Sequence, residues 1–267
     1  MHHIFQYKAG QFSQRKLPVV QELPLRVVVN DEELATMLST PVKLEYLVIG
    51  FLYFERVIAS LRDIRSLEVD SEDATAYVEL NIPFRGPSKR VLTSGCTGGI
   101  TFHLDLSLYP PVNTQATIRP ESLFPLMQQL YERTELYRTS RGIHAAALAD
   151  PEEGVLFCAE DVGRHNALDK ILGEALCRGV DTAGKVLLST GRISSEMLRK
   201  GARMGVPFIV SRTSPTDLAI ELAKRLGITL VGYLRHNSFN LYSHPLRMDY
   251  ERPRQTAGVE RGEDPIP

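Results

Sequence analysis

Between Ala145 and Tyr233 the apolar residues keep switching between strand and helix spacing, with glycine at several of the switches. This alternation constrains the fold more than any other feature of the chain. Ala145–Leu148 and Val155–Ala159 flank the turn Asp150–Gly154, which predicts a hairpin. His165–Cys177 follows as a helix closed by Gly179. Val186–Ser189 is a short apolar strand, and Ser194–Met204 a helix. Phe208–Val210 is the next strand. Ser214-Pro215 opens a helix that runs to Leu226 and ends at Gly227, and Ile228–Tyr233 is a strand again. Strands separated by helices require a largely parallel sheet covered by helices, so the fold class is α/β. In such sheets ligands sit beyond the carboxyl ends of the strands.

The first half mixes periods. Leu25–Val29 and Thr75–Leu80 read as strands. Thr40 is placed to cap a helix with Pro41 at its first position, and Leu44, Leu47, Val48, Phe51 and Leu52 give that helix one apolar face. Pro120–Tyr137 reads as a single helix. Lys89–Gly99 has neither period and carries three glycines within five residues, which predicts a mobile loop. The expected division is a flexible N-terminus (1–17), a smaller N-terminal α+β lobe (18–118), an α/β lobe (119–248) and a mobile tail (249–267).

Charge and cysteine content exclude several classes. Lys+Arg is 31 and Asp+Glu 32, so no global field favours nucleic acid or an anionic membrane. No apolar run is long enough to span a bilayer, and Met1–Ser13 does not read as a signal peptide. Three cysteines make no disulfide framework, and a reducing cytoplasm is expected.

The candidate chemistry lies at the strand ends. Arg164, Arg192, Arg212 and Arg235 each follow an expected strand, in the segments Glu160–His165, Ser189–Arg192, Ser211–Thr213 and Arg235–Asn237. Ser189, Thr190, Gly191 and Ser194 lie between a strand and a helix start. Helix N-termini offer free N–H groups, and arginine binds phosphate in a bidentate fork. Together these describe an anion site for a pyrophosphate or nucleotide; the bland alternative is four solvated arginines. His165 reads either as a phosphate ligand or proton carrier, or as a locally bonded histidine. Glu160 and Asp161 read as paired carboxylates, or Asp161 as a helix cap. Cys96 stands in a polar, glycine-rich loop where Lys89, Arg90 or Arg141 could favour its thiolate; the alternative is an incidental thiol. Cys158 and Cys177 read as small buried hydrophobes. The histidines, His103 among them, have no CxxC partners, so no zinc site is expected.

The run Glu160-Asp161-Val162-Gly163-Arg164-His165-Asn166-Ala167-Leu168-Asp169-Lys170 closely resembles the FdhD/NarQ family. So do Gly142–Ala146, Ser189–Ser194 and Phe239–Ser243. The likeness extends over about residues 20–248. It implies a cytidine-deaminase-like mixed sheet without zinc chemistry, and a homodimer. It further implies a sulfur carrier that accepts sulfur from a cysteine desulfurase as a persulfide. The carrier would pass that sulfur to the bis(molybdopterin guanine dinucleotide) molybdenum cofactor, as formate dehydrogenase requires. On this reading Cys96 is the persulfide cysteine, and Phe239, Asn240, Leu241, Tyr242, Ser243 and His244 form the cofactor-binding stretch. Arg164, His165, Arg192, Ser194 and Arg235 help to hold the cofactor, for which a guanine nucleotide is a mimic. Where many members carry CxxC, this chain has Cys96-Thr97-Gly98-Gly99, so a disulfide within the loop is impossible. The alternative function is a chaperone that holds the cofactor without covalent chemistry.

Overall fold

The computed structural model describes residues 1–84, 91–92, 100–101, 109–140 and 142–250. A six-stranded sheet forms the larger lobe. Its strands are β9 (His144–Asp150), β10 (Gly154–Asp161), β11 (Val186–Ser189), β12 (Phe208–Ser211), β13 (Thr229–Arg235) and β14 (Ser238–Leu241), in the order β10-β9-β11-β12-β13-β14. The three central strands β11, β12 and β13 are parallel, and β9 and β14 run against them. β10 pairs antiparallel with β9 and so points the same way as β11. The sheet is therefore mixed, and four of its strands end at one edge. One face packs on α2 (Leu123–Arg133). The other packs on α4 (Arg164–Arg178), α5 (Ser195–Met204) and α6 (Asp217–Arg225).

The smaller lobe is a four-stranded sheet in the order β4-β3-β6-β5. These strands are β3 (Leu23–Val29), β4 (Glu32–Ser39), β5 (Ile64–Asp70) and β6 (Thr75–Leu80). Helix α1 (Leu44–Phe54) covers one of its faces and packs on α4 with its opposite side. A helix that is apolar almost all round must be covered on both sides, and α1 buries eight of its eleven residues. Its contact with α4 is made by backbone. A Cβ at Gly50 would lie 1.9 Å from the Asp169 carbonyl oxygen, and one at Gly173 2.0 Å from that of Tyr46.

Polar side chains fasten the two lobes at the same place. Lys170, fully buried, pairs with Asp161 at 2.6 Å and donates to the carbonyls of Thr40 and Glu160. Asp161 also accepts from the amides of Thr40 and Gly163 and from Asn166 Nδ2, which in turn reaches the Leu38 carbonyl. Lys200 pairs with Asp169 at 2.6 Å, its ammonium 3.8 Å from the centre of the Phe54 ring.

Several expectations are corrected here. Thr40 does not cap α1: its hydroxyl accepts from Val162 and its amide is held by Asp161, so α1 begins after Lys43, which has φ +55°. The expected helix 120–137 is interrupted. Thr134 turns extended and donates to the Leu130 carbonyl, ending α2 before the short α3 (Glu135–Ser140). Helix α6 starts at Asp217 under a Thr216 cap, because Ser214 and Thr216 first bond to Ile193. Residues expected to lack regular structure pair as a hairpin, β1 (His2–Lys8) with β2 (Gln11–Leu17). It shows no apolar alternation because it stands in solvent, with β2 exposed throughout. Asp161 is the hub of the lobe junction rather than a helix cap, since Gly163 occupies the cap position of α4. Cys177 is exposed and Cys158 half-buried, not core residues, because the last turn of α4 and the outer side of β10 emerge into solvent. Two short strands, β7 (Val91–Leu92) and β8 (Ile100–Thr101), pair with each other. Cys96, Gly99, Lys89, Arg90, His103 and Arg141 lie outside the described residues, as does the tail from residue 251.

Candidate functional site

Strand direction brings the carboxyl ends of β10, β11, β12 and β13 to one edge of the sheet, and with them the four arginines. They do not form one cluster. The edge has a buried half above β10 and β11 and an open half above β12 and β13.

In the buried half, Arg164 and His165 open α4 and are both nearly inaccessible. His165 Nδ1 lies 3.5 Å from Glu196 Oε1 in the first turn of α5. Burial first, then the charges of Lys200, Arg164, His144 and Arg199, hold its imidazole well below the usual histidine range. It is neutral at physiological pH. His144, at the start of β9, is also pushed down by burial and by Arg164. Gly191 lets these side chains pass, since a Cβ there would meet Arg164 Cβ at 3.0 Å and His144 Nδ1 at 3.2 Å. The hydroxyls of the β11 loop serve the loop itself. Ser189 accepts from the Gly191 amide, Thr190 from that of Ala145, and Ser211 donates to the Gly191 carbonyl. Ser194 caps α5 by accepting from the Met197 amide. Glu160, pushed up by burial, accepts from the Tyr137 amide. Arg192 is exposed.

In the open half, two adjoining cavities share Arg212 and His236. One, of about 140 Å³, is lined by Phe124, Met127, Gln128, Arg212, Leu234, Arg235 and His236. The other, of about 420 Å³, is lined by Tyr131, Tyr137, Arg138, Arg212 and His236. Its two tyrosine rings meet edge to face, 6.3 Å between centres. Three arginines and aromatic walls suit a ligand with an anionic group and a flat ring. Arg138, Tyr131 and Tyr137 escaped the sequence reading because they belong to α2 and α3, which only the fold carries over this edge.

The stretch 239–244 forms the edge strand beside β13 and the turn after it. Phe239 packs on Phe124, 6.1 Å between ring centres, and Leu241 joins the same apolar cluster. Asn240 donates to the Tyr242 hydroxyl. Ser243 is buried, donating to the Ile228 carbonyl and accepting from the Leu230 amide, and His244 Nε2 faces the last carbonyls of α6. Phe239 thus supports the wall that carries Phe124, while Ser243 and His244 secure the turn to the sheet. Among the described residues, no group of three or more His, Cys, Asp or Glu could hold a metal ion, and no helix is long and apolar enough to cross a membrane.

The chain is 38% identical over 251 residues to a sulfur carrier protein FdhD of Bacillus subtilis, covering 92% of this chain and 95% of that one. It is 39% identical to the one from Geobacillus kaustophilus over the same shares, and 41% identical to that of Halalkalibacterium halodurans over 88% and 89%. A Desulfotalea psychrophila protein provisionally described as a formate dehydrogenase accessory protein has a similar crystal structure. Its TM-score is 0.79 at 27% identity, over 93% of this chain and 98% of that one. With residues 20–249 matching the model of the FdhD/NarQ family, the chain belongs to that family.

Proposed function

We propose that this chain is a cytoplasmic sulfur carrier that serves formate dehydrogenase by sulfurating its molybdenum cofactor. The observation that carries the reading is the open half of the strand-end edge, where Arg138, Arg212, Arg235 and His236 line adjoining cavities beside aromatic side chains. A guanine dinucleotide end offers matching chemistry, pyrophosphate for the arginines and a planar base for the tyrosines. The names of the relatives supply the sulfur.

In this scheme the Cys96 thiolate attacks the terminal sulfur of a persulfide on a cysteine desulfurase. A new S–S bond forms, the old one breaks, and the desulfurase cysteine leaves as a thiolate. The bis(molybdopterin guanine dinucleotide) cofactor is the acceptor substrate; its metal, in a reduced state, would supply the two electrons that take the sulfane sulfur to sulfide, and Cys96 is released as a thiolate. Gly99 is compatible with this step, because one thiol suffices to carry one sulfur. Arg192, exposed at the same edge, extends the positive surface toward the second nucleotide of the cofactor, and a homodimer would offer the two nucleotide ends equivalent surfaces. The six-stranded sheet, with four strands ending at one edge, is read as deaminase-like in descent. Fold ancestry of that kind carries no chemistry by itself.

The test is mass spectrometry after incubation with a cysteine desulfurase and cysteine, paired with guanosine diphosphate titration. The wild type gains a reducible extra sulfur that Cys96→Ser does not, while both bind the nucleotide alike. Sulfur loading that persists in Cys96→Ser overturns the carrier role. Formate dehydrogenase activity rescued by Cys96→Ala would select the chaperone instead.

A further inference from the structure

We propose that the N-terminal hairpin is a dimerisation arm that docks on the outer face of the small sheet of a second copy of this chain. The inference names the surface of the homodimer in the reading above and rests on that dimer, but on no part of the sulfur chemistry.

A two-stranded hairpin alone in water is marginal. This one leaves Phe5, Tyr7 and Phe12 respectively 73%, 63% and 72% exposed. The register puts them on one face: Tyr7 lies opposite Phe12, their rings 5.1 Å apart, and Phe5 opposite Gln14. An apolar face of this size on an arm with few other contacts is a binding surface rather than a folding device. The arm is also basic. Residues 1–21 contain Lys8, Arg15 and Lys16 and no acidic residue.

The complementary surface lies on the same chain. Helix α1 covers one face of the β4-β3-β6-β5 sheet, and its other face is open. There Glu68 pairs across to Tyr77 and Ser66 to Glu79, with Val28 beside Tyr77 and Glu33 beside Val28. Tyr77 is exposed, and the acids Glu33, Glu68 and Glu79 lie around it. Two arginines of this sheet are already engaged, Arg26 paired with Asp73 and Arg65 donating to Asn81. Of the basic residues Lys16 shares the aromatic face, opposite His3, while Lys8 and Arg15 stand on the reverse. An aromatic face carrying Lys16 thus meets a sheet on which acids ring Tyr77. With roughly 150–250 Å² per aromatic side chain, each arm has about 400 Å² to bury. A twofold exchange of arms with matching partner surface buries about 1,600 Å², the size of a stable interface. Exchange around a twofold axis closes on itself, so the contact yields a dimer and not a fibre.

The experiment is analytical ultracentrifugation of the full chain across concentration and salt. The wild type sediments as a dimer that weakens with salt. Phe5→Ser/Tyr7→Ser/Phe12→Ser raises the dissociation constant about 100-fold or more, with its far-UV circular dichroism unchanged. Lys16→Glu and Glu68→Lys/Glu79→Lys each weaken self-association, and mixing the two restores a heterodimer. A wild type that stays monomeric at all concentrations overturns both the dimer and the arm. A dimer indifferent to the triple variant keeps the dimer and overturns the arm. Monomers whose arms bind anionic vesicles through Phe5, Tyr7 and Phe12 also overturn it, in favour of a membrane.

Discussion

Gly173→Ala tests one of the two tightest backbone approaches among the described residues, that of α4 on α1. The added methyl would sit 2.0 Å from the Tyr46 carbonyl oxygen, 2.8 Å from its carbonyl carbon and 2.9 Å from its Cα. All three are backbone atoms of α1, so no side chain can swing aside. Ordinary contact begins near 3.4 Å, and α1 must retreat from α4 by about 1.4 Å. Overpacking of this kind costs about 1–3 kcal/mol and sometimes more. Retreat also stretches the bond from Lys170 to the Thr40 carbonyl, 3.0 Å long in the wild type. Against this, alanine is a better helix former than glycine by about 1 kcal/mol. With about 1 kcal/mol for the stretched hydrogen bond, the net expectation is a loss of about 1–3 kcal/mol, or a melting temperature lower by about 2–12 °C for a chain of this size. Differential scanning calorimetry reads it. Gly50→Ala should behave alike, and the double variant should cost less than the sum, because one separation relieves both clashes. Gly142→Ala, whose Cβ would have no neighbour closer than 3.9 Å, is the control. A Gly173→Ala protein that melts with or above the wild type would refute the backbone-on-backbone packing of α1 and α4.

Other outcomes follow from the buried charges and the open cavities. Lys170→Met leaves Asp161 charged and unpaired in the interior and is expected to cost about 3–5 kcal/mol in urea unfolding; Asp161→Asn in the same chain recovers part of it. His165 is neutral when folded but protonates near 6.5 when unfolded, so protons favour the unfolded chain and stability falls as pH drops below about 6.5. In His165→Leu the acid slope between pH 6.5 and 5 should be shallower by up to about 1.4 kcal/mol per pH unit, read by melts in a pH series. Asp169, pushed up to about 6 by burial, works oppositely: its folded form holds a proton longer, so it adds stability as pH falls from about 6 toward 4, and Asp169→Asn steepens the acid loss. Arg212→Ala removes the arginine common to both cavities and should weaken guanosine diphosphate binding about tenfold or more by calorimetry, whereas Arg235→Ala, touching one, costs less.

Local periodicity carried the larger lobe well. The hairpin β9–β10, helix α4 with Gly179 at φ +62°, and the β11–α5–β12–α6–β13 succession are where spacing and terminators placed them. Elements misjudged were those whose polar groups are claimed from far along the chain. Thr40 looks like a cap until Asp161 and Val162, more than a hundred residues away, take its amide and hydroxyl. Ser214 looks like a helix start until Ile193 bonds to it. The same blindness affects the site. The run Asp161–Lys170 identified the family, and its arginine reads naturally as a phosphate ligand. Yet Asp161, Asn166, Asp169 and Lys170 spend their bonds on Thr40, Leu38 and Lys200, holding the lobes together. Arg212, Arg235 and His236 were legible as strand-end residues through topology alone. Their aromatic walls were not, because nothing near Tyr131 or Tyr137 in the chain announces β13.

The junction also decides what can be exchanged between relatives. Lys170 answers to Thr40, Asn166 to Leu38, Lys200 to Phe54, and Gly173 to Tyr46. A chimaera that takes one lobe from a cousin inherits only half of each agreement. Segments 38–54 and 161–173, together with position 200, would have to be transplanted as a single inheritance, however distant they are in the gene.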